Sequence, residues 1–444
     1  MRLIGIPVAL LVGVFAWISA GQAVFVLARP LAALVVASVL YAAWRRDGAP
    51  TLLSPLALLS LQSLALYSLL PWLLLGLHRH FMVNTSALLG TYLGSRAEAL
   101  VLGFAAILAA TRLALEPSPW RGSSPGGFLG RRGMVLALSA ALGGVLLFLA
   151  FRFGADTMDD SARQIRDGLM PMALTAAALL HVHWLGRPRL HLRFALAALA
   201  LGGVLVLAGT GKPVFYSFGG AFLWWLVASP LPWRRCRLPL LGGFVILGLA
   251  AITAFAFVRD HGVWHRLSHH ADEPLRILTE KVVDRQLETG WCFKNVMDES
   301  WRIGEPARAL YFAAALVPRV VWPDKPSLSV GGDLGVRYCA KDPAWHHSAS
   351  VTLLGEPVIE AGALGLTAAL AACLGGLALL TVLGGRAGPV GLSLWIGLAP
   401  WLVDFDQTFA MYVANGVKSI LYAAPVWLVV LWWWRKEEGG SCAE

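Results

Sequence analysis

Apolar runs of about twenty residues return at short intervals along almost the whole chain. A run of that length crosses the hydrocarbon core of a bilayer as an α-helix, because an α-helix satisfies all its backbone hydrogen bonds internally. Hydrophobic residues make up 57% of the sequence and charged residues 14%, whereas a soluble domain carries about 25% charged residues. The chain is therefore predicted to be an integral membrane protein.

Twelve segments have the apolar character of membrane-spanning helices, so we predict an all-α polytopic protein with about twelve transmembrane helices. The first run is followed at once by a second, which favours a first span over a cleavable signal peptide. The runs at 194–208 and 388–403 are shorter than the others. The predicted spans are residues 3–20, 23–43, 52–77, 97–115, 134–151, 168–185, 194–208, 214–229, 238–258, 354–384, 388–403 and 418–434.

Basic residues are distributed unevenly between the two sides that these spans define. With a cytoplasmic N-terminus, sixteen basic residues fall on the inside and seven lie in or beside the short outside loops. This is the positive-inside bias of membrane proteins, and it predicts that both chain ends are cytoplasmic. The same clusters explain the net charge of +10 without a nucleic-acid partner.

One long hydrophilic segment divides the chain into three parts. Residues 1–258 hold predicted helices one to nine, 259–352 form a large periplasmic loop, and 353–444 hold helices ten to twelve. The loop carries twelve basic and twelve acidic residues and six of the eleven histidines, so it is the candidate working surface.

Two local features of this loop carry structural predictions. Residues 274–289 have helical apolar spacing and predict an amphipathic helix that ends before Gly290. Cys292 and Cys339 both lie in the loop, where an oxidising compartment permits a disulfide. Two buried thiols are the alternative that the sequence leaves open.

Two cations and several prolines mark residues 317–326 within the loop. Arg319 and Lys325 lie six residues apart in a backbone stiffened by prolines, which could clamp an anion. The alternative is an interfacial turn in which Trp322 lies at the lipid headgroups and the cations meet lipid phosphate. No metal-ligand spacing or nucleotide-binding loop occurs in the sequence, so neither a metal nor a cofactor is predicted.

Two carboxylates open the tenth predicted helix. Glu356 and Glu360 lie four residues apart on one helix face. One of them could accept a proton from a sugar hydroxyl as a general base. Alternatively, both stabilise the helix through its dipole and need no substrate.

Further charged residues lie at or near predicted span ends. Lys212, in a glycine-containing external turn, could meet a phosphate or could simply lie at the interface. Arg29 falls inside the second span, where it is either functional or extends its charge toward the membrane surface. Asp404 and Asp406 are predicted to be solvated loop charges.

Two motifs in this order resemble the O-antigen polymerases, also called oligosaccharide repeat-unit polymerases. That family combines a Pro-Arg, Trp-Pro and Lys-Pro stretch in a large periplasmic loop with a Gly-Glu and Gly-x-x-Gly stretch entering the next helix. The sharp part of the resemblance covers residues 317–365. The matching positions are Pro318, Arg319, Trp322, Pro323, Lys325, Pro326, Gly355, Glu356, Gly362 and Gly365.

The resemblance implies a C-type membrane glycosyltransferase fold that joins glycan repeat units built on undecaprenyl pyrophosphate, without nucleotide sugar or metal. The implied partners are the lipid-linked oligosaccharide and membrane lipids, with a chain-length regulator and a flippase as candidates. Relatives often have arginine in the external turn where this chain has lysine, which lacks the bidentate guanidinium. The residues implied for pyrophosphate and glycan binding are Arg319, Lys325, Lys212, Arg259, Arg152 and Trp322. Those implied for the base are Glu356 first, then Glu360 or His346.

Three other functions are compatible with a polytopic chain of this length. A lipid-linked glycan flippase or transporter fits the span count, although the large loop lies between helices nine and ten and not at a central junction. A glycan ligase would differ only in the acceptor. A noncatalytic assembly subunit would need none of the acid–base residues.

Overall fold

The computed structural model is an assembly of helices without strands in its described part, of which 87% is helical. The structure describes residues 4–73, 90–115, 131–153, 160–184, 285–299, 331–343 and 349–441, with the isolated positions 75, 129, 239, 243, 317, 321, 322 and 324.

Eleven α-helices, numbered here in chain order, lie within these described ranges. A 3-10 turn at Ala23–Leu27 precedes the second, and a π-helical segment at Ala65–Leu69 extends the third. The helices are α1 Gly5–Ser19, α2 Ala28–Asp47, α3 Pro55–Leu64, α4 Arg96–Ala114, α5 Arg131–Phe153, α6 Asp160–Trp184, α7 Arg285–Glu299, α8 Gly331–Tyr338, α9 Thr352–Arg386, α10 Gly388–Leu402 and α11 Phe409–Ser441.

The predicted spans agree with helices wherever the structure describes them. Nine of the twelve segments fall in the described ranges, and each contains a helix. Those at 194–208, 214–229 and 238–258 lie outside the described residues, apart from 239 and 243, so the count of twelve stays a prediction. Within the described ranges, five helices are long and apolar enough to cross a membrane: Ala23–Asp47, Pro55–Leu73, Arg96–Ala114, Thr352–Arg386 and Phe409–Lys436.

Helices α1 and α4 pack antiparallel at very short range. A Cβ added to Gly103 would lie 3.3 Å from the Cα of Gly13, so the two backbones are in close contact at this point. Beyond the helix ends, the Gly21 N–H donates to the Gly94 carbonyl at 2.8 Å. Small residues permit this approach in a bilayer, where close van der Waals packing holds helices together.

Arginines gather at one end of the bundle, here called the basic end. Asp47, the last residue of α2, accepts hydrogen bonds from Arg46 at 2.6 Å and from Arg112 of α4 at 2.8 Å. Arg46 also donates to the Leu113 carbonyl at 2.6 Å. Because Asp47 and Arg112 are both buried, their charges compensate each other.

Carboxylates gather at the opposite end, here called the acidic end and defined by Glu98, Glu356, Asp404 and Asp406. Glu98 lies in the first turn of α4, and Glu356 lies near the start of α9. Asp404 and Asp406 lie in the loop between α10 and α11. Helix α9 starts at this end and runs toward the basic end, where it finishes at Arg386.

A buried ion pair joins α2 to α4 at the acidic end. Glu98 accepts two hydrogen bonds from Arg29, from Nε at 2.7 Å and from Nη2 at 2.8 Å. Its oxygens also accept from the Ser68 hydroxyl and the Gly94 N–H, both at 2.6 Å. Ser68 lies in the π-helical segment of α3, where the extra residue per turn redirects side chains. Three helices therefore meet at one carboxylate.

For Arg29, the sequence allows either a functional role inside the span or a side chain that extends its charge toward the membrane surface. The structure shows it paired with Glu98 and only 6% exposed, with Phe25 and Trp72 rings near its guanidinium. It does not extend toward the membrane surface. The contacts favour a role in holding α2 against α4.

Helix α7 packs closely against the acidic end, and a disulfide joins it to the segment that follows α8. Cys292 of α7 and Cys339 form a disulfide, which resolves the alternative left open by the sequence. The prediction of a helix end before Gly290 is wrong, since α7 continues to Glu299. Gly290 lies instead where a Cβ would meet the ring of Tyr92 at 2.7 Å. Gly290 therefore permits α7 to pack closely against the Tyr92 ring, and it does not terminate the helix.

We predict that Glu98→Ala destabilises the protein by about 3–5 kcal/mol, because it leaves the Arg29 guanidinium buried without its counter-charge. Thermal unfolding of the purified protein in detergent measures the loss. Replacing both partners, Arg29→Met with Glu98→Leu, should recover much of it because no buried charge remains. An unchanged unfolding temperature for Glu98→Ala would contradict the assignment.

Candidate active site at the acidic end

The Gly-Glu motif lies on a short buried helix that breaks before the long part of α9 begins. Residues 352–359 are all buried, and the helix is interrupted at Ala361 and Gly362. Gly362 has φ +57° and ψ −134°, a conformation that glycine adopts without steric cost and other residues rarely do. The break ends the first segment directly after Glu360. This first segment, residues 352–360, is called the half-helix below.

The other motif glycines are required by close packing around the half-helix. A Cβ on Gly355 would lie 2.9 Å from the Val351 Cβ and 3.2 Å from the ring of Phe293 in α7. A Cβ on Gly365 would collide with the Pro357 carbonyl oxygen. The glycines that carry the family resemblance therefore let the chain fold back after the break and let α7 cover the half-helix.

Glu356 is fixed at the start of α11. Its side chain is buried, with 4% exposure, and its Oε2 accepts the N–H of Ala410 at 2.8 Å. Ala410 is the second residue of α11, and the N-terminus of a helix stabilises negative charge. The carboxylate thus has a defined orientation. Glu360 is only half-buried and lies at the last position before the break.

The prediction that Asp404 and Asp406 are solvated loop charges is wrong. Asp404 is 2% exposed and accepts a hydrogen bond from Gln407 Nε2 at 2.7 Å. Asp406 binds Arg285 of α7, whose Nε and Nη2 lie 2.9 and 2.7 Å from Oδ2. The Thr289 hydroxyl donates to the other oxygen at 3.1 Å. Both aspartates are therefore parts of the packed structure.

The Asp406 contact connects α7 electrostatically to the loop between α10 and α11. The negative charge of Asp406 raises the pKa of Arg285 above its ordinary value, so the guanidinium remains charged. The Arg285 side chain is largely exposed while the Asp406 side chain is mostly covered. A solvent-exposed cation of α7 thus neutralises a mostly covered carboxylate.

Phe405, between the two aspartates, holds the loop against α3 and the half-helix. Its N–H donates to Gln62 Oε1 at 3.1 Å, and its carbonyl accepts from the Leu353 N–H at 3.0 Å. Its ring packs edge-on against Tyr67, with 4.8 Å between centroids. The Tyr92 hydroxyl in turn donates to the Tyr67 carbonyl at 2.8 Å. The loop 403–408 is therefore the point where α3, α7, α9 and α11 converge.

Of the predicted site residues, the structure brings Glu356 and Glu360 together on the half-helix. Trp322 is described and partly exposed, at 43%, and its partners in the site stay a prediction. The remaining predicted residues have side chains outside the described part of the chain. These are Arg319, Lys325, Lys212, Arg259, Arg152 and His346.

Sequence reasoning missed Glu98 and Arg285 at this end and predicted the wrong environment for Asp406. Glu98 had a usable signal, since Ser95 and Glu98 have the serine-to-glutamate spacing of a helix N-cap, and the Glu98 N–H does bond to the Ser95 hydroxyl. Arg285 and Asp406 had none, because they are 121 residues apart.

The chemistry available at this end is that of carboxylates, hydroxyls and guanidinium groups. Among the described residues, no cluster of three or more histidine, cysteine or acidic side chains could hold a metal ion. The expectation of metal-independent chemistry stays a prediction. What the arrangement offers is a fixed carboxylate beside a helix N-terminus, with a cation on the covering segment.

Comparisons with known proteins find no family model, no curated protein and no solved structure that matches this chain.

We predict that Asp406→Asn loosens the start of α7, because Arg285 loses the charge that holds it. Amide hydrogen exchange of residues 285–290 should accelerate severalfold. Asp298→Asn is the matched control, since it removes the exposed pair with Lys294 at the far end of the same helix. Equal exchange of 285–290 in both variants would show that Asp406 does not hold α7.

Proposed function

We propose that the protein is a bacterial inner-membrane glycosyltransferase that polymerises lipid-linked oligosaccharide repeat units into a surface polysaccharide or exopolysaccharide. The observation that carries the proposal is the placement of Glu356. The glutamate of the Gly-Glu motif is buried, oriented by the Ala410 N–H, and lies at the end of the bundle opposite the arginine-rich one. The charge bias predicts that this acidic end faces the periplasm.

In the proposed reaction, a hydroxyl of the acceptor glycan attacks the anomeric carbon of the sugar bound to the lipid pyrophosphate. The new glycosidic bond forms as the bond between that carbon and the pyrophosphate oxygen breaks. The hydroxyl proton passes to a carboxylate, and the electron pair of the broken bond leaves with the lipid pyrophosphate. Cations stabilise the charge that develops on the leaving group.

Glu356 has the properties that a general base for this step requires. One of its oxygens is engaged by a backbone N–H, which sets the orientation of the group. A carboxylate has about four lone-pair positions, so it can also accept a bond from a substrate hydroxyl. Its burial strengthens that interaction by excluding water. Glu360 and His346 are the alternatives for this role.

The pyrophosphate is assigned to cations of the large loop and neighbouring turns. Arg319 and Lys325 are the first candidates, followed by Lys212, Arg152 and Arg259. Trp322 supplies an exposed ring for the glycan or the lipid interface. This assignment is based on the resemblance and on the charge that the leaving group carries.

A flippase for lipid-linked glycans is the second candidate, and the break in α9 favours it. Broken helices with buried half-helices form substrate sites in many transporters, and α9 has such a break at Ala361 and Gly362. Reconstitution with lipid-linked repeat units distinguishes the functions. Longer glycans indicate a polymerase, movement without bond formation a flippase, and transfer to a different acceptor a ligase.

We predict that a deletion strain accumulates single repeat units and that the wild-type gene restores the polysaccharide ladder. Glu356→Gln should not restore it, because the amide cannot take the proton while its shape is retained. Gel analysis of lipid-linked and surface glycan measures the result, with protein level in the membrane as the control. Glu360→Gln is the matched variant and should retain polymer.

An intact ladder in the deletion strain, or loss of export of even single units, would overturn the polymerase proposal. If Glu360→Gln loses polymer while Glu356→Gln retains it, Glu360 is the base.

We predict separately that Arg319→Ala abolishes polymer without lowering the amount of protein in the membrane. The reason is that the leaving pyrophosphate loses a cation when charge develops on it. The ladder assay and an immunoblot of membranes measure the two effects. Polymer at the normal amount would remove Arg319 from the site.

A further inference from the structure

At the start of α11, two residues before the amide that binds Glu356, lies a buried hydroxyl without a hydrogen-bond partner among the described residues. Thr408 immediately precedes α11, and its carbonyl accepts the first helical bond, from the Tyr412 N–H at 2.8 Å. The residue is 7% exposed. Its hydroxyl oxygen is covered and has no hydrogen-bond partner within the described part of the protein.

The position of Thr408 makes this isolation unusual. A threonine at the N-cap of a helix normally accepts a hydrogen bond from the N–H of the second or third helical residue. Here the Ala410 N–H, which belongs to the second residue, donates to Glu356 instead. The Glu356 carboxylate therefore accepts the N–H that an N-cap threonine such as Thr408 would normally bind. A buried unpaired hydroxyl is unfavourable, and native proteins seldom keep one without a reason.

We infer that the Thr408 hydroxyl and the Glu356 carboxylate together form the binding site for the acceptor sugar hydroxyl. This inference rests on the proposed function and adds a substrate-binding residue to it. The ligand class follows from the chemistry of the pair. A carboxylate only accepts hydrogen bonds, whereas a threonine hydroxyl can donate one, so the two match the O–H and a lone pair of an alcohol.

The start of α11 connects the two residues through the backbone. Thr408 lies two residues before Ala410, and the Ala410 N–H bonds to Oε2 of Glu356 at 2.8 Å. The start of α11 therefore carries both groups: one as its own side chain, the other as the carboxylate that caps it. Because the Thr408 oxygen is covered here, substrate entry must displace a neighbouring side chain.

The unpaired hydroxyl gives a test in which stability and activity move in opposite directions. Thr408→Val keeps the shape of the side chain and removes the hydroxyl. It should raise the Tm by about 1–3 °C, since an unsatisfied buried group is removed. It should also lower kcat/KM for polymerisation of reconstituted lipid-linked units by about tenfold, the size of one lost hydrogen bond. Thr408→Ser retains the hydroxyl and should stay near wild type in rate.

Thr175 provides a matched control. It is a fully buried threonine of α6 whose hydroxyl also has no partner among the described residues, and it packs against Gly397 of α10. Thr175→Val should raise the Tm to a similar extent while polymerisation continues at the wild-type rate. Only at Thr408 should the hydroxyl matter for activity.

The results separate this inference from the proposed function. If Glu356→Gln stops polymerisation and Thr408→Val is as active as Thr175→Val, the acceptor site at Thr408 is refuted and the polymerase proposal stands. A fall in the Tm of Thr408→Val would also refute it, because the hydroxyl would then be paired structurally. If wild-type protein forms no polymer from lipid-linked units, the proposed function itself fails.

Discussion

Burial of charge in an apolar environment is the constraint that organises this structure. An isolated charge in such a place is costly unless it is paired and hydrogen-bonded, and the buried acids of both bundle ends meet that requirement. Glu98 is held by Arg29, and Asp47 by Arg112. Each pair joins two different helices, so the need for compensation also sets which helices lie side by side.

The same requirement acts on the carboxylates near the candidate site, with a different outcome for each. Asp406 is neutralised by a guanidinium from the covering helix. Glu356 is instead stabilised by the backbone of α11. The Ala410 N–H sets the orientation of this carboxylate at the start of α11.

The broken helix α9 is what brings Glu356 to α11. A continuous helix would carry the glutamate past the loop 403–408, whereas the break at Gly362 lets the half-helix pack beneath α7 and beside Phe405. Close packing and the backbone conformation at the break thus require glycine at these positions, independently of any catalytic role.

The sequence by itself determined which segments are apolar helices, because span length and hydrophobicity are local properties that the bilayer selects. It also marked the Gly-Glu segment. Only the tertiary structure decided that Gly290 lies within a helix, that Asp406 meets Arg285, and that Glu356 meets Ala410. The reason is physical: these contacts join residues that lie 54 or more positions apart, and chain folding alone brings them together.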